Sequence, residues 1–471
     1  MNTGGKPNAV GRPTLVDNPD DRARPYDATL PARMTGEAMA RGHVVLVDTY
    51  ETAQHGLPQT ARHIAPAFRA AGYDCVRVQS GPEPPEVYQS SAPALDNYVD
   101  NILHNGDIDK TVALVSAHHP VAVVAGGEYG VRFADLLSEQ LGVPSNGTAL
   151  SAARRDKYLM IETIKAAGLH GARQIRTNDV AELCDWHRRT GGRIVVKPVS
   201  SAGGDGVSFC TTVEQTAAAY QQIVERPDIF SEPNNGVVAQ EYLVGDEYIV
   251  NTVSRDGLHR VCEIWKSSRF SVNGVVDLSG ASHLVPRHGP VQDELAAYSA
   301  RALDALGVRH GPAHVELKMT PQGPCLIELG ARLSGGDLPY YAGQALGAGQ
   351  IEWMVDAYVC PERFRDRHRE AYQIRRFFAW VAMISPVSGT LRAYRDIDVI
   401  RRMESFHEMW EIVHPGGRLE RTVDDTTYPV VINLCHEVEA ILMRDLGTIR
   451  YLDGVGFYEL ATPAGTPEEQ T

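Results

Sequence analysis

Short apolar runs separated by polar, glycine-bearing breaks dominate the chain from residue 43 onward. The first, His43-Val44-Val45-Leu46-Val47, stops at Asp48 and reads as a buried strand. A helix is expected over 60–71, then strands at 75–78, 111–116 and 121–125. Gly126-Gly127-Glu128-Tyr129-Gly130 comes next, followed by an amphipathic helix that ends before Gly142. Fully apolar strands alternating with helices predict a parallel sheet covered by helices. Residues 41–150 therefore read as a small open α/β domain. Residues 1–40 break the pattern: prolines at 7, 13, 19, 25 and 31 forbid a long helix, and a disordered arm is expected.

Beyond residue 150 the pattern predicts a helix over 156–167 and strands at 193–198 and 207–210, joined by Ser201-Ala202-Gly203-Gly204-Asp205-Gly206. Strands at 237–243 and 247–253 flank Val244-Gly245-Asp246, and a helix is expected over 292–306. Strands at 313–319 and 325–329 surround Thr320-Pro321-Gln322-Gly323-Pro324. The arginine-rich stretch 363–376 reads as a solvated helix face or linker, and 377–460 as a C-terminal α+β piece.

With 471 residues, 43% hydrophobic and 22% charged, the chain can bury a full core without disulfides or structural metals. Its net charge of −14 argues against nucleic-acid binding, which relies on Lys and Arg at phosphates. Seven scattered cysteines show no zinc or redox spacing and fit a reduced, cytoplasmic protein. No run approaches a membrane span, and the N-terminus lacks the apolar core of a signal peptide.

The sharpest chemical signal is a pair of carboxylates. Taking 313–319 and 325–329 as a hairpin centred on Gln322, reflection places Glu316 opposite Glu328. Opposed like charges on apolar strands are destabilising and require a compensating cation. The same parity puts His314, Glu316 and Lys318 on one face with Glu328 and Gly330. Oxygen ligands without cysteine point to Mg²⁺, completed by substrate phosphates; the alternative is two surface glutamates on a solvated sheet face. The loop from Ser200 to Gly206 could cradle phosphate with backbone N–H groups, and Lys197 on the preceding strand needs an anionic partner. That loop could equally be an ordinary hairpin, with Lys197 paired to an acid. The segment Gln240–Glu247 by itself reads as an edge strand ending in a turn.

Together and in this order, these segments resemble the ATP-grasp superfamily. The resemblance runs over about 41–460 and is carried by Asp156-Lys157-Tyr158, Val195-Val196-Lys197-Pro198, the Gly-rich loop, Glu241–Glu247, and Glu316 with Glu328-Leu329-Gly330-Ala331-Arg332. It implies a pre-ATP-grasp open α/β domain (41–150), an ATP-grasp fold (151–360, with a nucleotide-binding subdomain at about 187–245), and a C-terminal α+β lid region (361–471). Lys157 and Lys197 would then contact ATP. Ser201, Gly203, Gly204 and Gly206 would close over its phosphates. The Glu241–Leu243 backbone would read the adenine edge, and Glu247 would hold the ribose. Glu316 and Glu328 would bind one or two Mg²⁺ ions, or Mn²⁺ in their place, and Arg332 would steady an acyl phosphate.

Many relatives carry Glu-x-Asn-x-Arg where this chain has Gly330. That departure, with Gly311-Pro312-Ala313-His314-Val315-Glu316 and Ser334-Gly335-Gly336, makes the chain similar to the L-amino-acid ligase branch. The implied activity is ATP-dependent joining of a small-molecule carboxylate to an amine through an acyl phosphate. The alternatives are a carboxylase or purine-pathway enzyme using bicarbonate or formate, and a non-catalytic nucleotide-binding protein. His314 and His283 are candidates for orienting substrate, His283 only by its resembling position; each could instead be a structural histidine. Gly335 and Gly336 leave room for a bulky acyl group, and the resemblance favours a homodimer.

Overall fold

The computed structural model describes residues 42–52, 58–89, 91, 94–234 and 236–461; the arm expected over 1–40 lies outside them. The N-terminal sheet has strands β1 (His43–Val47), β2 (Asp74–Gln79), β3 (Asp100–Leu103) and β4 (Pro120–Ala125), all parallel, in the order β3-β2-β1-β4. Val44 to Val47 are all fully buried, as two-sided covering requires.

One expected strand is corrected. Residues 111–116 lie in the helix Ile108–Ser116, where Asp107 caps the N-terminus by accepting from Lys110 N at 3.2 Å. Thr111 and Val115, one helical turn apart, face inward while Leu114 is exposed. A six-residue stretch with four apolar positions does not separate the two periods, and the cap decides it. The third parallel neighbour is instead β3, whose Asp100-Asn101-Ile102-Leu103 buries only Ile102.

A second small sheet comprises β5 (Gln174–Thr177), β6 (Ile194–Pro198), β7 (Ser208–Cys210) and β8 (Val237–Glu241), in the order β5-β8-β6-β7, all antiparallel. The large antiparallel sheet contains β9 (Asp246–Arg255), β10 (Leu258–Val272), β11 (Val275–Val285), β12 (Gly311–Thr320) and β13 (Gly323–Gly330). It continues through β14 (Phe377–Ala382) into C-terminal strands, ordered β13-β12-β9-β10-β11-β14 and then Val430–His436 and Phe406–Glu411. The long strands β10 and β11 had no counterpart in the sequence reading.

The large sheet sorts its side chains by alternation. Val250, Ile264, Val315 and Leu317 face one side and pack on Met160, Ile161 and Ile164 of the helix Lys157–Ala166 and on Leu295 and Leu303 of Pro290–Ala305. Intervening residues such as Ile249 and Trp265 face the other side, where the helix Leu338–Leu346 packs. That second face also carries the polar residues of the site. Among the described residues no helix is long and apolar enough to cross a membrane.

Candidate active site

A cavity of about 320 Å³ lies between the carboxyl ends of β1 and β4, the Gly-rich loop, the polar face of the large sheet and the C-terminal region. Crevices outside the carboxyl ends of parallel strands are where open α/β sheets bind ligands. Its lining includes Glu128, Gly203, Arg269, Glu316, Arg332 and Asp425.

The β12–β13 hairpin pairs Glu316 directly with Glu328. The register reaches that pair by two steps. Thr320 pairs with Gly323 around a two-residue Pro321-Gln322 turn, and a bulge at Ile327 then shifts the ladder by one. Each carboxylate has a nitrogen partner. Glu316 Oε1 is 2.9 Å from His314 Nε2, and Glu328 Oε1 accepts from Lys157 Nζ at 2.6 Å. Burial pushes the Glu316 carboxyl up, but His314, Arg269 and Arg332 outweigh it and hold it down to about 2. Glu316 is therefore held ionised, and the pair offers only oxygen donors, which suits Mg²⁺ shared with phosphates. His314 Nδ1 faces Asn251 Oδ1 at 3.0 Å, and Asn251 Nδ2 donates to the buried Glu263 at 2.9 Å.

The Gly-rich loop meets this hairpin through lysine. Asp156 caps the helix Lys157–Ala166, accepting from Tyr158 N and Leu159 N at 2.9 Å each. That cap aims Lys157 inward, where Nζ also donates to Ser201 O at 3.0 Å. Ser201 Oγ in turn donates to Asp205 Oδ2 at 2.7 Å. Gly203, Gly204 and Gly206 have φ of 63°, 72° and 70°, a region that side chains disfavour, and a Cβ on Gly206 would sit 2.7 Å from Pro198 Cγ. Lys197 on β6 is buried, and burial beside Lys157 pushes its ammonium down to about 8 against the pull of Glu328 and Glu316.

Arg332 Nε donates to Glu128 Oε2 at 2.8 Å, and Arg155 also grips Glu128. Burial alone would raise the Glu128 carboxyl, yet Arg155 and Arg332 hold it at about 2. Gly330 makes room for this pair: a Cβ there would lie 2.7 Å from Glu128 Oε2 and 3.2 Å from Arg332 Nε. Glu128 and Arg155 were not singled out from the sequence, although Gly-Gly-Glu-Tyr-Gly and Arg155-Asp156-Lys157 were visible there. Arg269 and Asp425 gave no signal at all.

Two sequence expectations, for His283 and Glu247, land differently. His283 does not reach the cavity. On β11, Ser282 lines it, so strand alternation turns His283 to the opposite face, paired across from Lys266, where burial lowers its proton affinity. Glu247, expected at the ribose, is buried and ion-paired with Arg269, and Lys318 Nζ lies 3.9 Å away. Glu241 spends its side chain on Arg173, accepting from N and Nε at 2.7 Å each, while the chain leaves the β8 ladder just before Leu243.

Residues 191–339 match the ATP-grasp domain model. Over 403 residues the chain is 32% identical to dapdiamide A synthase of Enterobacter agglomerans, covering 85% of this chain and 94% of that one. It is 20% identical over 217 residues to the L-arginine-specific L-amino acid ligase of Bacillus subtilis, covering 46% of this chain and 52% of that enzyme. Among solved structures, the L-amino acid ligase from Bacillus licheniformis superposes with a TM-score of 0.68 at 16% identity, covering 90% of this chain and all of that one.

Proposed function

The chain belongs to the ATP-grasp family and is an ATP-dependent carbon–nitrogen ligase that forms amide or peptide bonds in biosynthesis, and we propose that it joins an amino acid to a second amino acid or small carboxylic acid within the cavity described above. The observation that carries this reading is Glu316 and Arg332 on the cavity wall, with Glu328 paired directly across the hairpin from Glu316. Members of this family use ATP and Mg²⁺ in general; here Glu316 and Glu328 are the residues that would hold one or two ions.

A carboxylate is a poor electrophile, and transfer of the γ-phosphoryl of ATP converts it to an acyl phosphate with a good leaving group. A bound metal would supply charge neutralisation at the phosphates. Every other task falls to side chains and backbone. Lys197 and Lys157 neutralise phosphate oxygens, and the N–H groups of the Ser201–Gly206 loop close over them. The Glu241–Leu243 backbone reads the adenine edge. Glu247 reaches the ribose only if Arg269 releases it. Arg332, fixed by Glu128, holds the substrate carboxylate and then the charge that develops on the acyl phosphate and on the oxyanion of amine attack. His314 keeps Glu316 ionised and aimed. Catalysis is mostly positioning, and water has to be kept from the activated acyl group.

The cavity also bears on the substrate. About 320 Å³ lined by Tyr50, Tyr88, Tyr129 and Phe230 is room for an amino acid with a side chain, and far more than bicarbonate or formate needs. The test is ADP release across a matrix of amino acids and small acids, each with and without bicarbonate. Release that requires both a carboxylate and an amine is expected; release driven by bicarbonate alone contradicts the reading.

A further inference from the structure

Four acids line the cavity: Asp48, Glu128, Glu316 and Asp425. Three are already matched. Asp48 accepts from Ser80 N at 2.9 Å and Ser80 Oγ at 2.5 Å. Glu128 lies between Arg155 and Arg332, and Glu316 faces His314. Asp425 is different. Its hydrogen-bond partner among the described residues is Tyr428, whose Oη lies 2.8 Å from Oδ1. The nearby Arg269 already donates Nε and Nη2 to Glu247 and Nη1 to Asp277 O.

The loop carrying Asp425 is held firmly. Asn273 Nδ2 donates to Ser385 O and Thr422 O at 2.8 Å each, and Ser385 N donates to Thr422 Oγ1 at 2.9 Å. Thr427 Oγ1 accepts from Val423 N at 2.9 Å and Asp424 N at 3.1 Å. Tyr428 is buried and stands edge-on to Trp380, another lining residue. Its single phenolic proton faces two acceptors, Asp425 Oδ1 and Ser279 O, the latter at 2.7 Å. One proton cannot serve both acceptors at once, so when Tyr428 donates to Ser279 O the Asp425 carboxylate is left as an acceptor to be filled from the cavity. Burial, with Glu316 and Asp424 nearby, pushes the Asp425 carboxyl to about 6 against the pull of Arg269 and Tyr428.

The cavity has two ends. Arg332, Glu128 and the tyrosines border the N-terminal sheet, which suits the acid to be activated. Trp380, Ile412, Asp425 and Thr426 border the C-terminal region. We propose that Asp425 receives the amine substrate, binding its ammonium and taking the proton that the nitrogen must lose before it attacks. This assignment rests on the ligase reading above. The step balances as follows. The ammonium gives one proton to the Asp425 carboxylate, and the freed nitrogen lone pair forms the C–N bond at the acyl carbon. The carbon–oxygen bond to phosphate breaks with its electron pair on phosphate. The second proton shed by the nitrogen leaves with phosphate, and Asp425 returns its own to solvent.

The experiment compares two nucleophiles on one acyl donor in wild type, Asp425→Asn and Asp425→Glu. The amino-acid pair giving most ADP in the matrix above is one arm. The same acyl donor with hydroxylamine, uncharged at pH 7.5, is the other. In Asp425→Asn, amide formation should fall by about 10²-fold, the lower scale for losing a general base, with a raised KM for the amine. Hydroxamate formation should stay within about threefold of wild type, the precision with which single contacts separate from background. Asp425→Glu should recover part of the amide rate. Amide and hydroxamate falling together, or neither falling, overturns the assignment, as does a raised KM for the acyl donor alone. Should Asp425→Asn melt early, the same split is read in Asp425→Glu as a smaller loss confined to the amide arm. Absence of hydroxamate from wild type would remove the acyl phosphate, and the ligase reading with it.

Discussion

Arg332 and Glu128 are 204 residues apart in sequence and share a 2.8 Å hydrogen bond between Nε and Oε2, joining the end of β13 to the turn after β4. The bond fixes the guanidinium at the cavity wall next to the carboxylate hairpin. A charge placed there stabilises the acyl phosphate and the oxyanion of amine attack more than the starting carboxylate, and such differential binding lowers the barrier.

Arg332→Ala should therefore lower single-turnover ligation by about 10²–10³, the scale for losing one such donor. Lysine should rescue only in part, since it lacks the planar fork. Affinity for ADP should change little. Calorimetry and single-turnover kinetics on the same protein check both halves.

Gly330→Asn should cost nearly as much as Arg332→Ala. Its Cβ would enter 2.7 Å from Glu128 Oε2, so the Glu128–Arg332 contact must open. Ligation should fall by about 10²-fold, and excess Mg²⁺ should not restore it. Titrating Mg²⁺ against rate distinguishes this from a gained metal ligand, which would lower the Mg²⁺ requirement.

Glu316→Gln and Glu328→Gln should each abolish ligation but differ in stability. Removing Glu328 strips the buried Lys157 of its acid and should cost about 1–3 kcal/mol, the range for a buried group left unpaired. Removing Glu316 relieves repulsion from Glu328 and leaves His314 its contact with Asn251, so its melting temperature without Mg²⁺ should stay near wild type. Equal, large losses in both variants would make the pair structural.

Lys197 yields a pH prediction. Burial disfavours its charge and pushes the ammonium down to about 8, below the ordinary lysine value. An anionic phosphate favours the charged form and raises that value. ADP binding in EDTA at pH 8–9 should therefore take up protons, and affinity should weaken as pH rises through 8. Calorimetry in buffers of different ionisation enthalpy reads the uptake, which Lys197→Gln should abolish together with roughly 1.5–3 kcal/mol of affinity.

Much of this site was legible because its chemistry lies in local patterns. The opposed glutamates follow from strand parity and the loop from its glycines, while Lys157 came only with the family resemblance. The Glu316–Glu328 register emerged from a hairpin centred on Gln322, although the real turn is centred half a residue earlier and the Ile327 bulge restores the count. A pattern cannot display such compensating shifts. His283 failed because a resembling position carries no phase: one residue along β11 exchanges the two faces of the sheet. Residues 111–116 failed because so short a stretch, apolar only at its four central positions, suits either a strand or a helix, and Asp107 lay outside it. Arg269, Glu128 and Asp425 were invisible because they meet the hairpin only through β10, the N-terminal sheet and a C-terminal loop. No spacing along the chain encodes those contacts.

Activation of the carboxylate by phosphorylation is the step on which the whole reaction depends. It is tested by supplying the acyl substrate with both carboxylate oxygens as ¹⁸O, together with the amine and ATP, and weighing the released phosphate. Phosphoryl transfer to the carboxylate followed by amine attack leaves one ¹⁸O in the inorganic phosphate, with ADP as co-product. Unlabelled phosphate, or AMP carrying the label, would contradict the account.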